Sequence, residues 1–150
     1  MKIARLCFAM IFAILLGGAD DPNARTVIVL AKPVKVLKII GFPGEEEDMH
    51  TGVLFLVKMR TISVVRGTFP KRTFKVVIMS HMAEYILKEK EYIAVFDSVD
   101  GKYKSLGTAI NDVQRACFDE ELLKKTDIPP EALVHIVQPP YPETRCYLLP

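Results

Sequence analysis

Fifteen consecutive residues, VLFLVKMRTISVVRG at positions 53 to 67, limit the possible folds more than any other part of the chain. They are rich in Val, Ile, Leu and Thr, which suit an extended and partly buried backbone. Val53, Phe55, Val57 and Met59 stand at odd positions, and Lys58 and Arg60 at even ones, so alternation turns the odd side chains inward. By Ile62 and Val64 the apolar set has moved to even positions, with Thr61 and Ser63 opposite. One inserted residue reverses every later side chain, so a β-bulge or sharp bend is expected near Arg60 to Ile62. Gly67 ends the stretch. A strand this long with a bend in it curls around a core.

The neighbouring segments read as further strands. Thr26 to Ala31 (TVIVLA) is a β-branched run, and VKVLKIIG follows Pro33, which marks a break or an edge position. Gly41 to Gly52 is loop and holds four consecutive acids, Glu45 to Asp48. That run lacks the alternating oxygen-ligand spacing of a calcium loop and reads as a solvated turn. Lys71 to Met79 is a second strand, and Ser80 to Lys88 a short helix with Ser80 as N-cap. Glu91 to Asp97 (EYIAVFD) is apolar on both faces, hence central. Asp100-Gly101 forms a hairpin turn, and Lys102 to Ala109 pairs back. From Asn111 to Lys125 the spacing of Val113, Cys117 or Phe118, and Leu122 predicts a helix capped by Asn111. Six of the ten prolines fall between Pro129 and Pro150, where only residues 134–137 look like a strand.

The start of the chain has a different composition. Lys2 and Arg5 precede an unbroken apolar run of eleven residues, Leu6 to Leu16, and then Gly17, Gly18 and Ala19. A basic start, a short apolar run and small residues before a cut make a secretory signal peptide, and a membrane-spanning helix needs about 20 apolar residues. Export with cleavage before Asp20 is expected, to a periplasmic or extracellular location, with no membrane span left afterwards. The lack of any N-x-S/T sequon fits a bacterial periplasm. Of 20 basic and 18 acidic side chains, losing Lys2 and Arg5 leaves 18 of each, so no broad electrostatic footprint for nucleic acid remains. Cleavage also removes Cys7. The remaining pair, Cys117 and Cys146, is expected to form a disulfide in an oxidising compartment. Closing that loop stabilises by roughly 3 kcal/mol through chain entropy and anchors the Pro-rich tail.

A long bent strand ending in Gly, a second strand, a helical crossing, a central strand hairpinned to a fourth and then a helix is the order of a small Greek-key barrel. The segment ISVVRG…FKVVIMS…YILKEKEYIAVFDSVDGKY, residues 62 to 103, resembles the oligonucleotide/oligosaccharide-binding (OB) type barrel of netrin-like domains, which include the tissue inhibitors of metalloproteinases. The resemblance implies a barrel with a long curved first strand. Those inhibitors reach the protease zinc through a cysteine at the mature N-terminus, whereas the expected mature chain begins DDPNA. It therefore implies a fold and not protease inhibition.

Catalytic signatures are sparse. No G-x-S-x-G elbow or phosphate-binding Gly loop occurs. HMAEY at 81 to 85 comes near the H-x-x-E-H zinc pattern but has Tyr85 where the second His would stand. His50, His81 and His135 follow no ligand spacing, and no cofactor is implied. Lys58, Arg60, Arg66, Phe74, Lys75 and Tyr103 form a candidate binding face of cations interleaved with aromatics. The Lys71–Arg72 and Lys124–Lys125 pairs read as solvated surface.

The chain is therefore expected to be mainly β with one or two short helices, a five-stranded OB-like Greek-key barrel. Residues 1–19 are the signal peptide, 20–32 a leader and possible first strand, 33–126 the barrel with a C-terminal helix, and 127–150 a Pro-rich tail on the barrel. The expected role is a non-enzymatic binding module for a protein, peptide or glycan, not for nucleic acid. One alternative is a metal-dependent or hydrolytic exported enzyme using His50, His81 or Glu84 with the acids of Glu45 to Asp48. The other is an envelope component that self-associates along an exposed edge strand.

Overall fold

The computed structural model describes residues 23–41, 52–89, 91–111, 114–136 and 144–149, with only the backbone described at position 110. The expected signal peptide and its expected cleavage point, His50 and the acids Glu45 to Asp48 lie outside these residues. The protein is mostly β, with two short helices and an antiparallel five-stranded sheet. Its elements in chain order are β1 (Thr26–Gly41), β2 (Val53–Arg66), β3 (Thr73–Ser80), α1 (Ala83–Lys88), β4 (Tyr92–Val99), β5 (Lys102–Ile110), β6 (Arg115–Phe118), α2 (Glu120–Leu123), β7 (Leu133–Ile136) and β8 (Thr144–Leu148).

The large sheet runs β3-β2-β1-β4-β5, so β1 pairs with β2 on one side and β4 on the other. Pairing with β4 stops at Ala31, two residues before Pro33. The missing amide of Pro33 therefore falls where β1 has a partner on one side only, and the proline interrupts nothing. What reads as two segments separated by Pro33 is one strand of 16 residues. The edges β3 and β5 are spanned by one side-chain bond, from Thr108 Oγ1 to the Val77 carbonyl at 3.3 Å.

The expected irregularity in β2 lies at Ile62. Leu30 faces Ser63 and Ala31 faces Thr61, leaving Ile62 as the extra residue, and a second shift skips Val65. Thr61 holds the bend by bonding to the β2–β3 loop, its amide to Arg72 O at 2.9 Å and its hydroxyl to Lys71 O at 2.6 Å. Before the bend Phe55, Val57 and Met59 are buried; after it Val64 joins the same core while Val65 faces a second one. Ile62 itself is exposed, contrary to the simple phase count, because the bulge throws it out of both cores. Gly67 follows at φ +73, where a Cβ would meet Val27 Cγ2 at 3.0 Å, so a side chain here would be both strained and crowded.

Two cores lie on opposite sides of the large sheet. The first collects Val27, Val29, Phe55, Val57, Met59, Phe74, Val76, Ile86 and Phe96 around a knot of rings. There Phe69 stacks on Phe96 at 4.9 Å and meets Phe74 edge-on at 5.2 Å. α1 contributes Ile86 to it, with half-buried Ala83 packed alongside. Beside it Tyr92 is buried, and burial, then the charge of Glu89, push its phenol up to about 12. Ser80 is not the cap of α1: it is the last residue of β3, and Met82 holds the N-cap position without a side-chain bond.

The second core packs Ile28, Val65, Ile93 and Val95 of the large sheet against Ala116, Phe118, Ile128 and Leu149. β4 is thus buried from Tyr92 to Phe96, its even residues on one core and its odd residues on the other. The Asp100-Gly101 turn has φ of +51 and +71, the pair of positive values a two-residue hairpin requires.

Among the described residues of 111–125, where a helix was expected, the first half is not helical. Residues 115–118 form β6, which pairs with β8 in a small sheet of order β6-β8-β7. The helix α2 is confined to Glu120–Leu123, and its cap is Asp119, whose carboxylate accepts from Leu122 N at 2.7 Å, not Asn111. Ala116 and Phe118 are buried and Cys117 is exposed, a period of two that four residues of sequence do not separate from helical spacing. The described residues of the Pro-rich tail likewise form two strands, β7 and β8, where one was expected.

Candidate binding face

The outward side of β1, β2 and β3 is set by cross-strand pairing. Lys58 lies opposite Lys35 on β1 and Lys75 on β3; Arg60 lies opposite Lys32 and Thr73. Paired residues point to the same side of a sheet, so these cations form two adjoining rows. The first row spans two strand spacings, about 10 Å, and the rows are about 7 Å apart along the strands. Lys38 adds a sixth cation opposite Leu56. All six are exposed, and none enters an ion pair among the described residues. β1, β2 and β3 run to 16, 14 and 8 residues without an Asp or Glu. Like charges directly opposite one another destabilise a sheet, so folding alone gives no reason to align them.

The row depends on irregularities in β1. Lys32, Lys35 and Lys38 are three residues apart, a spacing that would alternate faces in a regular strand. Their partners Arg60, Lys58 and Leu56 are two apart. Val34 and Leu37 are the residues left over, one bulge in each interval, and both are exposed. Each bulge resets the phase and returns the next lysine to the same face.

Of the six residues in the candidate binding face, three belong to it: Lys58, Arg60 and Lys75. Phe74 alternates with Lys75 and points into the first core, where it meets Phe96 edge-on at 5.4 Å. Tyr103 packs edge-on against Phe69 at 4.9 Å, and its hydroxyl donates to Thr68 O at 3.0 Å. Arg66 is buried at the end of β2, where Nη2 donates to Asp127 O at 3.3 Å and lies 3.5 Å from its carboxylate. These three are structural. Lys32, Lys35 and Lys38 were missed because their spacing does not fit an unbulged strand.

Asp127 fastens the segment after α2 to the large sheet. Its carboxylate accepts from the backbone amides of Arg25 and Thr26, each at 2.7 Å, and its own amide donates to Thr26 Oγ1 at 3.0 Å. Burial pushes this carboxyl up, but the bonds from Thr26 and the Arg25 amide, with the charge of Arg66, outweigh it and hold it at about 2. Nearby, Arg25 clasps Asp97 through Nε and Nη2 at 2.6 and 3.2 Å, and these bonds lower the Asp97 carboxyl.

Of the residues weighed for catalysis, His81, Glu84 and His135 are among the described ones. His81 precedes α1, Glu84 lies on it, and both are exposed; His135 is exposed on β7. No group of three His, Cys, Asp or Glu among the described residues is placed to hold a metal ion. Cys117 and Cys146 face each other across β6 and β8 and are joined by a disulfide. Clefts of about 450 and 260 Å³ lie beside α2 and between α1 and the β3–β5 edges. No helix of the described residues is long and apolar enough to cross a membrane. The chain matches no protein-family model, no curated protein and no solved structure.

Proposed function

We propose that this is an exported, non-enzymatic binding module that recognises an acidic partner through the outward face of β1, β2 and β3. The observation that carries the proposal is the pair of cross-strand cation rows, Lys32–Arg60 and Lys35–Lys58–Lys75, on three strands that contain no acid. A near-neutral chain with such a face concentrates its positive potential where a ligand can meet it. Export is supported by the apolar start of the sequence and by the disulfide, which persists in oxidising compartments. An OB-like closed barrel of netrin-like type is supported by β1 serving two neighbours, by α1 between β3 and β4, and by the Thr108–Val77 bond across the edges.

Elution by salt from an immobilised acidic polymer such as heparin tests the face. The triple variant Lys35→Gln, Lys58→Gln, Lys75→Gln should elute at clearly lower salt than the wild type. A control triple, Lys102→Gln, Lys104→Gln, Lys125→Gln, removes the same charge from exposed positions elsewhere and should elute close to wild type. Equal shifts in the two triples would mean that net charge, not the face, governs retention. The intact mass of exported protein tests the leader, and a mass that still includes residues 1–19 would end that part of the proposal.

A further inference from the structure

The same face changes character along its strands. Beyond the lysine rows the outward residues are Leu56 and Val77, then Leu54 and Met79, each pair directly opposite. Leu54 and Leu56 are half-buried, whereas Val77 and Met79 are 45% and 59% exposed. At the same end β1 sets Gly41 opposite Leu54, whereas Ile39 lies opposite Phe55, on the side of the first core. One end of the surface is thus cationic and the other aliphatic, with Lys38 where they meet.

The chemistry of this surface discriminates between acidic partners. A single-stranded nucleic acid would call for aromatic stacking platforms, and the aromatics Phe74 and Tyr103 are committed to the first core. A soluble polyanion makes no use of an aliphatic end. A bilayer uses both parts: aliphatic side chains enter the boundary between headgroups and acyl chains while lysine ammoniums extend to phosphates. Each cation near an anionic lipid surface strengthens binding about fivefold.

We infer that the aliphatic end of the β1–β3 face, around Leu54, Val77 and Met79, seats on an anionic lipid surface, with the lysine rows on the headgroup phosphates. This rests on the binding-face reading above and names its partner as a lipid surface. The protein lies on the bilayer and does not span it, because the contact is one face of a sheet whose other side is the first core.

Co-sedimentation of the full chain with vesicles tests the inference, using phosphatidylcholine alone and phosphatidylcholine mixed with phosphatidylglycerol. Two variants accompany the wild type: Lys35→Gln, Lys58→Gln, Lys75→Gln, and Val77→Ser, Met79→Ser. All forms carry the same residues 1–25, so whatever that segment contributes cancels between them. All five altered positions are exposed, and unchanged circular dichroism and melting confirm the fold. The wild type should bind the mixed vesicles, weaken as salt rises, and bind phosphatidylcholine poorly. The lysine variant should lose on the order of a hundredfold in affinity for the mixed vesicles. The aliphatic variant should lose about tenfold on vesicles while keeping its retention on heparin. Wild-type retention on heparin without vesicle binding would overturn the lipid inference and leave the acidic-partner face standing. Loss of both would overturn both. Equal binding of all three forms to the vesicles would remove the face from the contact and also overturn the inference.

Discussion

The two sheets of this protein reach stability by different means. The large sheet has strands of 8 to 16 residues, long enough to bury a full side-chain core on one side and part of another on its reverse. The small sheet has strands of four, four and five residues. Strands that short present one or two side chains each to the second core, here Ala116 and Phe118 on β6, Leu133 on β7 and Tyr147 on β8. They are held by a disulfide between directly opposite residues, by the Asp127 cluster, and by the apolar face the large sheet lends them. Patterned burial suffices where strands are long, and short strands need covalent and electrostatic fastening as well.

The comparison breaks most sharply in the first core. Phe96→Ala removes a ring that contacts Phe69 and Phe74 and should cost about 4 kcal/mol in chemical denaturation, lowering amide protection in both sheets together. Retained protection in β1 and β2 would mean that the ring knot is peripheral.

Replacing both cysteines, Cys117→Ser with Cys146→Ser, should cost about 3 kcal/mol. Hydrogen exchange should show the loss concentrated in β6, β7 and β8 while β1 to β4 keep their protection. Uniform loss over the whole chain would show the two sheets to be one cooperative unit and erase the distinction.

Asp127→Asn should have the smallest effect, about 1–2 kcal/mol, since the carboxylate is about a third exposed and its interactions are partly screened. The sign follows from the folded carboxyl being held below its ordinary value of 3.8, at about 2. Its contribution is present above pH 4 and fades as pH falls through 2, because there the folded state loses the charge that Thr26, Arg25 and Arg66 stabilise. Stability measured from pH 5 to 2 should decline less in the variant than in the wild type. Parallel declines would assign the acid sensitivity to other carboxylates.

Much of the large sheet was legible because its signals are local. The change of phase after Met59 requires an inserted residue wherever the partner strand lies, and Ile62 is that residue. The double-sided apolarity of residues 92–96 requires burial on both faces, and Asp-Gly suits a turn with two positive φ values. The binding face was half legible. Phe74 and Lys75 are adjacent in a strand and cannot share a side, so alternation already placed Phe74 in the core. Lys32, Lys35 and Lys38 gave no such signal, since their common side arises from two bulges.

From its sequence alone the chain was bound to be mainly β, to bend its second strand, and to bury its fourth on both sides. Tertiary pairing decided that residues 115–118 extend rather than coil, that Arg66 turns inward to Asp127, and that lysines three apart stand in line with Lys58 and Lys75. The division has one physical cause. Side-chain alternation and turn chemistry act within a few residues, whereas register, bulges and ion-pair partners depend on a strand or side chain tens of residues away.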